Sequence, residues 1–133
     1  MQGPQRHKRV LVVDDEASIV RMVTASLEKS GYIVETAASG DEALQTLREF
    51  WPDILVLDVM MPRLNGYRVS RMVKLLAKTN ALRAPKIILV TSRNLGGDPE
   101  REEVMGGFSM ADGTLYKPFY PKDLLDKIKA VAG

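Results

Sequence analysis

Asp14, Asp15, Asp58, Thr91 and Lys117 are the residues of this chain whose types could do chemistry together. Three carboxylates brought close repel one another, which raises their pKa values unless a cation intervenes. An all-oxygen ligand set suits a hard ion, Mg²⁺ in particular, which keeps several waters and often bridges protein carboxylates to a phosphate. A lysine adds a compact positive charge suited to a phosphoryl oxygen, and a threonine adds a hydroxyl donor. A carboxylate with such neighbours is equipped for phosphoryl transfer and can itself be the nucleophile, giving an aspartyl phosphate. Singly, each residue means little, since an Asp at a strand end is usually a cap or a solvated turn. The conjunction carries the argument.

The elements that must position these groups are legible from apolar patterning. Val10–Val13, Ile54–Leu57 and Ile87–Val90 are nearly continuous in Val, Ile and Leu, as strands are when both faces of a parallel sheet are covered. Ile33–Ala37 carries a charge and is expected at an edge. Gly113–Tyr116 is a fifth, short strand. Between them run helical stripes: Ile19, Val23 and Leu27 with Val20 and Met22; Leu44 and Leu47; Val69, Met72, Val73 and Leu76; Leu124, Leu125, Ile128 and Val131. All are read as core faces. Ser39 with Glu42 forms a capping box for the second helix. Asp98-Pro99 and Pro121 start the fourth and fifth, and Gly31 closes the first. The β-α unit thus repeats five times, which predicts an α/β domain with a parallel sheet and helices on both faces. Order 2-1-3-4-5 is one of the two common doubly wound orders, and in either one ligands bind at the carboxyl ends of the strands. Asp14-Asp15-Glu16, Asp58, Thr91-Ser92 and Lys117-Pro118 all follow or close such ends.

Composition narrows the rest. The chain has 133 residues, 45% hydrophobic and 27% charged, the balance of one ordinary globular domain. It has no cysteine, which excludes disulfides, thiol nucleophiles and Cys-ligated metals and suits a reducing cytoplasm. No apolar run approaches the roughly 20 residues of a membrane helix. Residues 1–8 read as a flexible basic tail and 9–133 as the domain. Net charge is +2, yet no acidic residue occurs from Val59 to Gly97, where Arg63, Arg68, Arg71, Lys74, Lys78, Arg83, Lys86 and Arg93 stand. A solvated helix face explains such a run better than a partner surface does.

Val12-Val13-Asp14-Asp15-Glu16, Asp58-Val59-Met60-Met61-Pro62 with Asn65-Gly66, Thr91-Ser92 and Lys117-Pro118-Phe119 resemble, in order and spacing, the receiver domain of bacterial two-component response regulators. The match runs from about Lys8 to the C-terminus. It implies a flavodoxin-like (βα)5 fold in which Asp58 accepts a phosphoryl group from a histidine kinase or a phosphotransfer protein. By the same resemblance, Asp14, Asp15, Asp58 and the main-chain carbonyl of Met60 bind Mg²⁺. Thr91 is the switch hydroxyl, Lys117 pairs with the phosphoryl group, and the Lys117-Pro118 bond is cis. Such a protein is no enzyme beyond its own phosphorylation and dephosphorylation. It changes partner affinity at the face of the fourth helix, fifth strand and fifth helix, and a homodimer is one such partner.

The departures are specific. The aromatic residue usual three positions before the lysine is Thr114 here, and Tyr116, directly before Lys117, points to the opposite face of an extended segment. The usual Gly-Ala pair before the last strand is Met110-Ala111. Tyr120 replaces the usual cap before Pro121, and the Thr91–Lys117 interval, with Leu95-Gly96-Gly97 and Gly106-Gly107, is a few residues long. Met60 and Arg93, by resemblance, flank the approach of water and predict slow self-dephosphorylation.

Other readings fit less well. A degenerate receiver acting only as an interaction module is at odds with a full acceptor set. A phosphatase of the DxD type lacks its second acid, since Val59 and Met60 follow Asp58. A flavin mononucleotide site would meet repulsion from Asp14-Asp15-Glu16. Nucleic-acid binding through the basic third helix would show strong salt dependence.

Overall fold

The computed structural model describes residues 8–92 and 99–132. Arg93, Leu95-Gly96-Gly97, Asp98 and Met1–His7 of the basic tail lie outside them. The elements alternate: β1 (Arg9–Val13), α1 (Ala17–Lys29), β2 (Ile33–Ala37), α2 (Gly40–Thr46), β3 (Ile54–Asp58), α3 (Gly66–Thr79), β4 (Lys86–Ser92), α4 (Pro99–Ser109), β5 (Gly113–Lys117) and α5 (Pro121–Ala132). The strands form one parallel sheet in the order β2-β1-β3-β4-β5.

Alternation along the strands builds two cores. Leu11, Val13, Leu55, Leu57, Ile87 and Leu89 pack with Ala43 of α2, Leu47 at its C-terminal cap, and Val69 and Val73 of α3. Val10, Val12, Ile54, Val56, Ile88 and Val90 pack on the other face with Val23, Leu27, Leu124 and Ile128 from α1 and α5. Each fully buried Val, Leu or Ile contributes roughly 1.5–3 kcal/mol. Strands buried on both faces must be apolar throughout, which is why their sequences show continuous runs.

Local signals act as their chemistry dictates. The Ser39 hydroxyl accepts from Glu42 N–H at 3.1 Å, and the Glu42 carboxylate reaches back to Ala38 N–H at 3.2 Å, one residue beyond the usual box partner. Gly31 sits at φ 94° just past α1, the left-handed position glycine fills without strain. Pro99 and Pro121 each open a helix. Tyr120 supplies no side-chain cap, but its N–H donates to the Asp123 carboxylate at 2.8 Å, so the start of α5 keeps half of a capping box.

One part of the periodicity reading is corrected. Met72 and Leu76 of α3 are exposed, and Met22 of α1 lies at the margin. The buried face of α3 is Val69, Ser70, Val73 and Ala77. Ser70 belongs to it because its hydroxyl donates to the Ser109 carbonyl at 2.8 Å, tying α3 to the end of α4. A buried hydroxyl with a partner is tolerated where a bare one is not.

Candidate functional site

Parallel strands deliver their last residues to one edge. Asp14 follows β1 and is anchored by its own N–H, which donates to the Ala37 carbonyl of β2 at 3.1 Å. Asp58 ends β3, and the next residue, Val59, donates its N–H to Val90 of β4 at 2.9 Å. β5 ends at Lys117, whose bond to Pro118 is cis. One carboxylate oxygen from each of Asp14, Asp15 and Asp58 lies within 4.8 Å of the others. Asp14 and Asp58 are buried and Asp15 is exposed.

Lys117 reaches into this cluster from the rim. Its ammonium is 3.2 Å from Asp14 Oδ2, 3.6 Å from Asp58 Oδ1 and 3.0 Å from Glu16 Oε1. Burial works against the charged ammonium. The hydrogen bond to Glu16 and the charges of Asp58 and Asp14 outweigh it, so its pKa lies above the usual lysine value. Asp58 behaves in the opposite sense for a carboxylate. Burial and the neighbouring Asp14 charge push its pKa up to about 6, against the opposing pull of Lys117 and the Met60 N–H.

Backbone packing fixes Asp58 in place. α3 starts at Gly66, whose N–H donates to the Val59 carbonyl at 3.1 Å. A Cβ added at Gly66 would collide with the Asp58 carbonyl oxygen and stand 2.8 Å from Val59 Cα. Only glycine permits that approach, which explains Asn65-Gly66 in the motif. Asn65 caps α3, accepting from Arg68 N–H at 3.1 Å. A carboxylate cup closed by a lysine, at the carboxyl edge of a 2-1-3-4-5 sheet, is the arrangement the motifs anticipated.

A family model, the response regulator receiver domain, matches residues 10–129. The chain belongs to that family. Among curated relatives, it is 39% identical over 125 residues to the alkaline phosphatase synthesis transcriptional regulatory protein PhoP of Bacillus subtilis, covering 94% of this chain and 48% of that protein. It is 37% identical over 124 residues to the phosphate regulon transcriptional regulatory protein PhoB of Escherichia coli, covering 93% and 51%. The chain therefore spans about half the length of these relatives. Among solved structures, a chemotaxis response regulator of Vibrio cholerae superposes with TM-score 0.82 at 34% identity, over 95% of this chain and 99% of that one. A Thermotoga maritima regulator of the OmpR/PhoB type gives TM-score 0.79 at 31% identity, over 96% and 53%. No helix among the described residues is long and apolar enough to cross a membrane.

The remaining anticipated residues of this receiver domain fall around the same edge. Met60 N–H approaches Asp58 Oδ1 at 3.4 Å, and its side chain is exposed beside the acidic cluster. Thr91 is buried on β4, one step beyond Val90, the residue paired with Asp58. It lines a cavity of about 340 Å³ with Tyr67, Glu103, Gly106, Thr114 and Tyr116. The expectation for Tyr116 needs correction in this respect. It lies opposite Lys117, as neighbours in a strand must, but two residues from Thr114, and so shares Thr114's face and Thr91's cavity. Glu16 was legible only as the third acid in a row, and the motif assigned it no role. Its hold on Lys117 spans 101 positions, which adjacency in sequence does not signal.

Proposed function

We propose that this domain is a phosphoryl-accepting switch in which Asp58 takes a phosphoryl group from the phosphohistidine of a histidine kinase or a phosphotransfer protein. The observation that carries this reading is the Lys117 ammonium, 3.6 Å from Asp58 and 3.2 Å from Asp14, at the mouth of a cluster of three carboxylates. An ionised Asp58 oxygen attacks phosphorus in line. The phosphorus–nitrogen bond breaks, its electron pair stays on the imidazole, and that nitrogen takes up a proton. With its pKa near 6, Asp58 is mostly ionised at neutral pH and available as the nucleophile.

The donor set fits Mg²⁺, since it is all oxygen, anionic and partly open to solvent. Asp14, Asp15 and Asp58 would hold the ion together with the Met60 carbonyl. When bound, it supplies positive charge against the carboxylates and the phosphoryl oxygens. Lys117 pairs with the new phosphoryl dianion, and the Thr91 hydroxyl donates to it. A shift of Thr91 changes the wall of a cavity whose other side is α4, at Glu103 and Gly106, so the α4-β5-α5 face senses the modification. Such a switch needs a partner that distinguishes the two states, and a second copy of the chain is one candidate. The domain catalyses its own modification and no other turnover, in a cytoplasmic setting.

Acetyl phosphate with Mg²⁺, followed by mass mapping, tests the reading. Modification at Asp58, abolished in Asp58→Ala, is the expected result. A response to neither acetyl phosphate nor beryllium fluoride would favour the alternative of an interaction module that is never phosphorylated, which Thr114 in place of an aromatic and the altered fourth-helix region, with Gly106-Gly107 and Met110-Ala111, support.

A further inference from the structure

A second cleft lies at the other end of the sheet. It has a volume of about 520 Å³ and is lined by Lys8, Arg9, Arg48, Arg83 and Lys86, with Trp51 and the acids Glu49 and Asp53. Arg9 opens β1, Ile54 opens β3 and Lys86 opens β4, so this cleft sits at the amino ends of the strands, opposite Asp58. Its size is that of a small-molecule site.

The charges in it are unbalanced. Among the described residues, none of its five cations forms an ion pair within 4 Å. Asp53 is engaged otherwise, accepting from Arg9 N–H at 2.8 Å. The Arg9 guanidinium stacks on Phe50 at 4.3 Å from the ring centre, and its Nε is buried with no hydrogen-bond partner. Trp51 is held by its own indole N–H, which donates to the Arg83 carbonyl at 2.9 Å. That bond ties a flat aromatic surface to the segment that carries one of the arginines.

We propose that this cleft binds a nucleotide, with the phosphates on Arg9, Arg48, Arg83 and Lys86 and the base against Trp51. Guanidinium groups suit phosphate oxygens through paired, charge-assisted hydrogen bonds, and a base stacks on an aromatic ring without needing a unique sequence of donors. The ligand lies at the far edge of the sheet from the phosphoryl site, so both can be filled together.

Trp51 is the one tryptophan of the chain, so its fluorescence reports on the cleft directly. The probes are ATP and GTP without metal, with adenosine and inorganic phosphate as the two halves of the ligand. Saturable quenching by at least one nucleotide is expected, with adenosine and phosphate each at least about tenfold weaker. Exposed Arg48 and Arg83 can be changed without opening the core, and R48A/R83A should weaken binding by about tenfold or more at an unchanged melting temperature. Asp58→Ala should leave it unaltered. No saturable quenching by either nucleotide, equal affinity for inorganic phosphate, or binding indifferent to R48A/R83A would each overturn the proposal.

Discussion

Lys117 donates to Glu16 at 3.0 Å, closer than its 3.6 Å approach to Asp58. The ammonium is therefore shared between a rim acid and the buried pair Asp14 and Asp58. Glu16 is largely exposed, so the contact is worth about 0.5–1 kcal/mol. Releasing it should free Lys117 for the phosphoryl group. Glu16→Gln is expected to tighten beryllium fluoride binding by about two- to fivefold, read by titration in the presence of Mg²⁺. Lys117→Ala should weaken it, and an unchanged affinity in Glu16→Gln would show that Glu16 does not compete.

Asp58 gives a pH signature in metal-free buffer. Its folded-state pKa is raised from 3.8 to about 6, so the native state holds the proton more tightly than the unfolded chain does. Stability contributed by the protonated form is present at low pH and lost as pH rises from about 4 through about 6. Asp58→Asn keeps the shape without the charge. It should be the more stable of the two at neutral pH, by at most about 3 kcal/mol, with the advantage fading toward pH 4. Denaturant unfolding at the two pH values measures this, and a constant difference would contradict it.

Gly66 sits where a Cβ would strike the Asp58 backbone. Gly66→Ala is expected to destabilise the fold by about 1–3 kcal/mol, the usual range for overpacking. It should also weaken beryllium fluoride binding, because relief of the clash must move Asp58. Thermal unfolding and the same titration test both parts.

Met110 occupies φ 61° between α4 and β5, in the place where the resemblance leads one to expect glycine. The left-handed region costs a side chain roughly 1–2 kcal/mol, and Met110 is exposed enough that little burial offsets it. Met110→Gly should therefore stabilise the domain by up to about 1 kcal/mol, visible as a higher denaturant midpoint.

How much of this was legible in the sequence follows from the range of each force. Strand cores were readable because burial on both faces requires unbroken apolar runs, and the order of acids and lysine placed the site at one edge. Met72 and Leu76 misled because helical spacing marks a stripe without saying which flank of it meets the sheet, whereas Ser70 is buried by a partner on α4. The Glu16–Lys117 contact and the Arg9–Phe50 stack depend on tertiary proximity, which local pattern does not encode. The strain at Met110 was visible only as an odd residue in a familiar place.

The most direct measurement is the site of phosphorylation. Incubation with acetyl phosphate and Mg²⁺, then mass analysis of the intact and digested protein, should show one phosphoryl group on Asp58, absent from Asp58→Ala and reduced when Mg²⁺ is chelated. Modification at another residue, or none in a folded protein, would contradict the account.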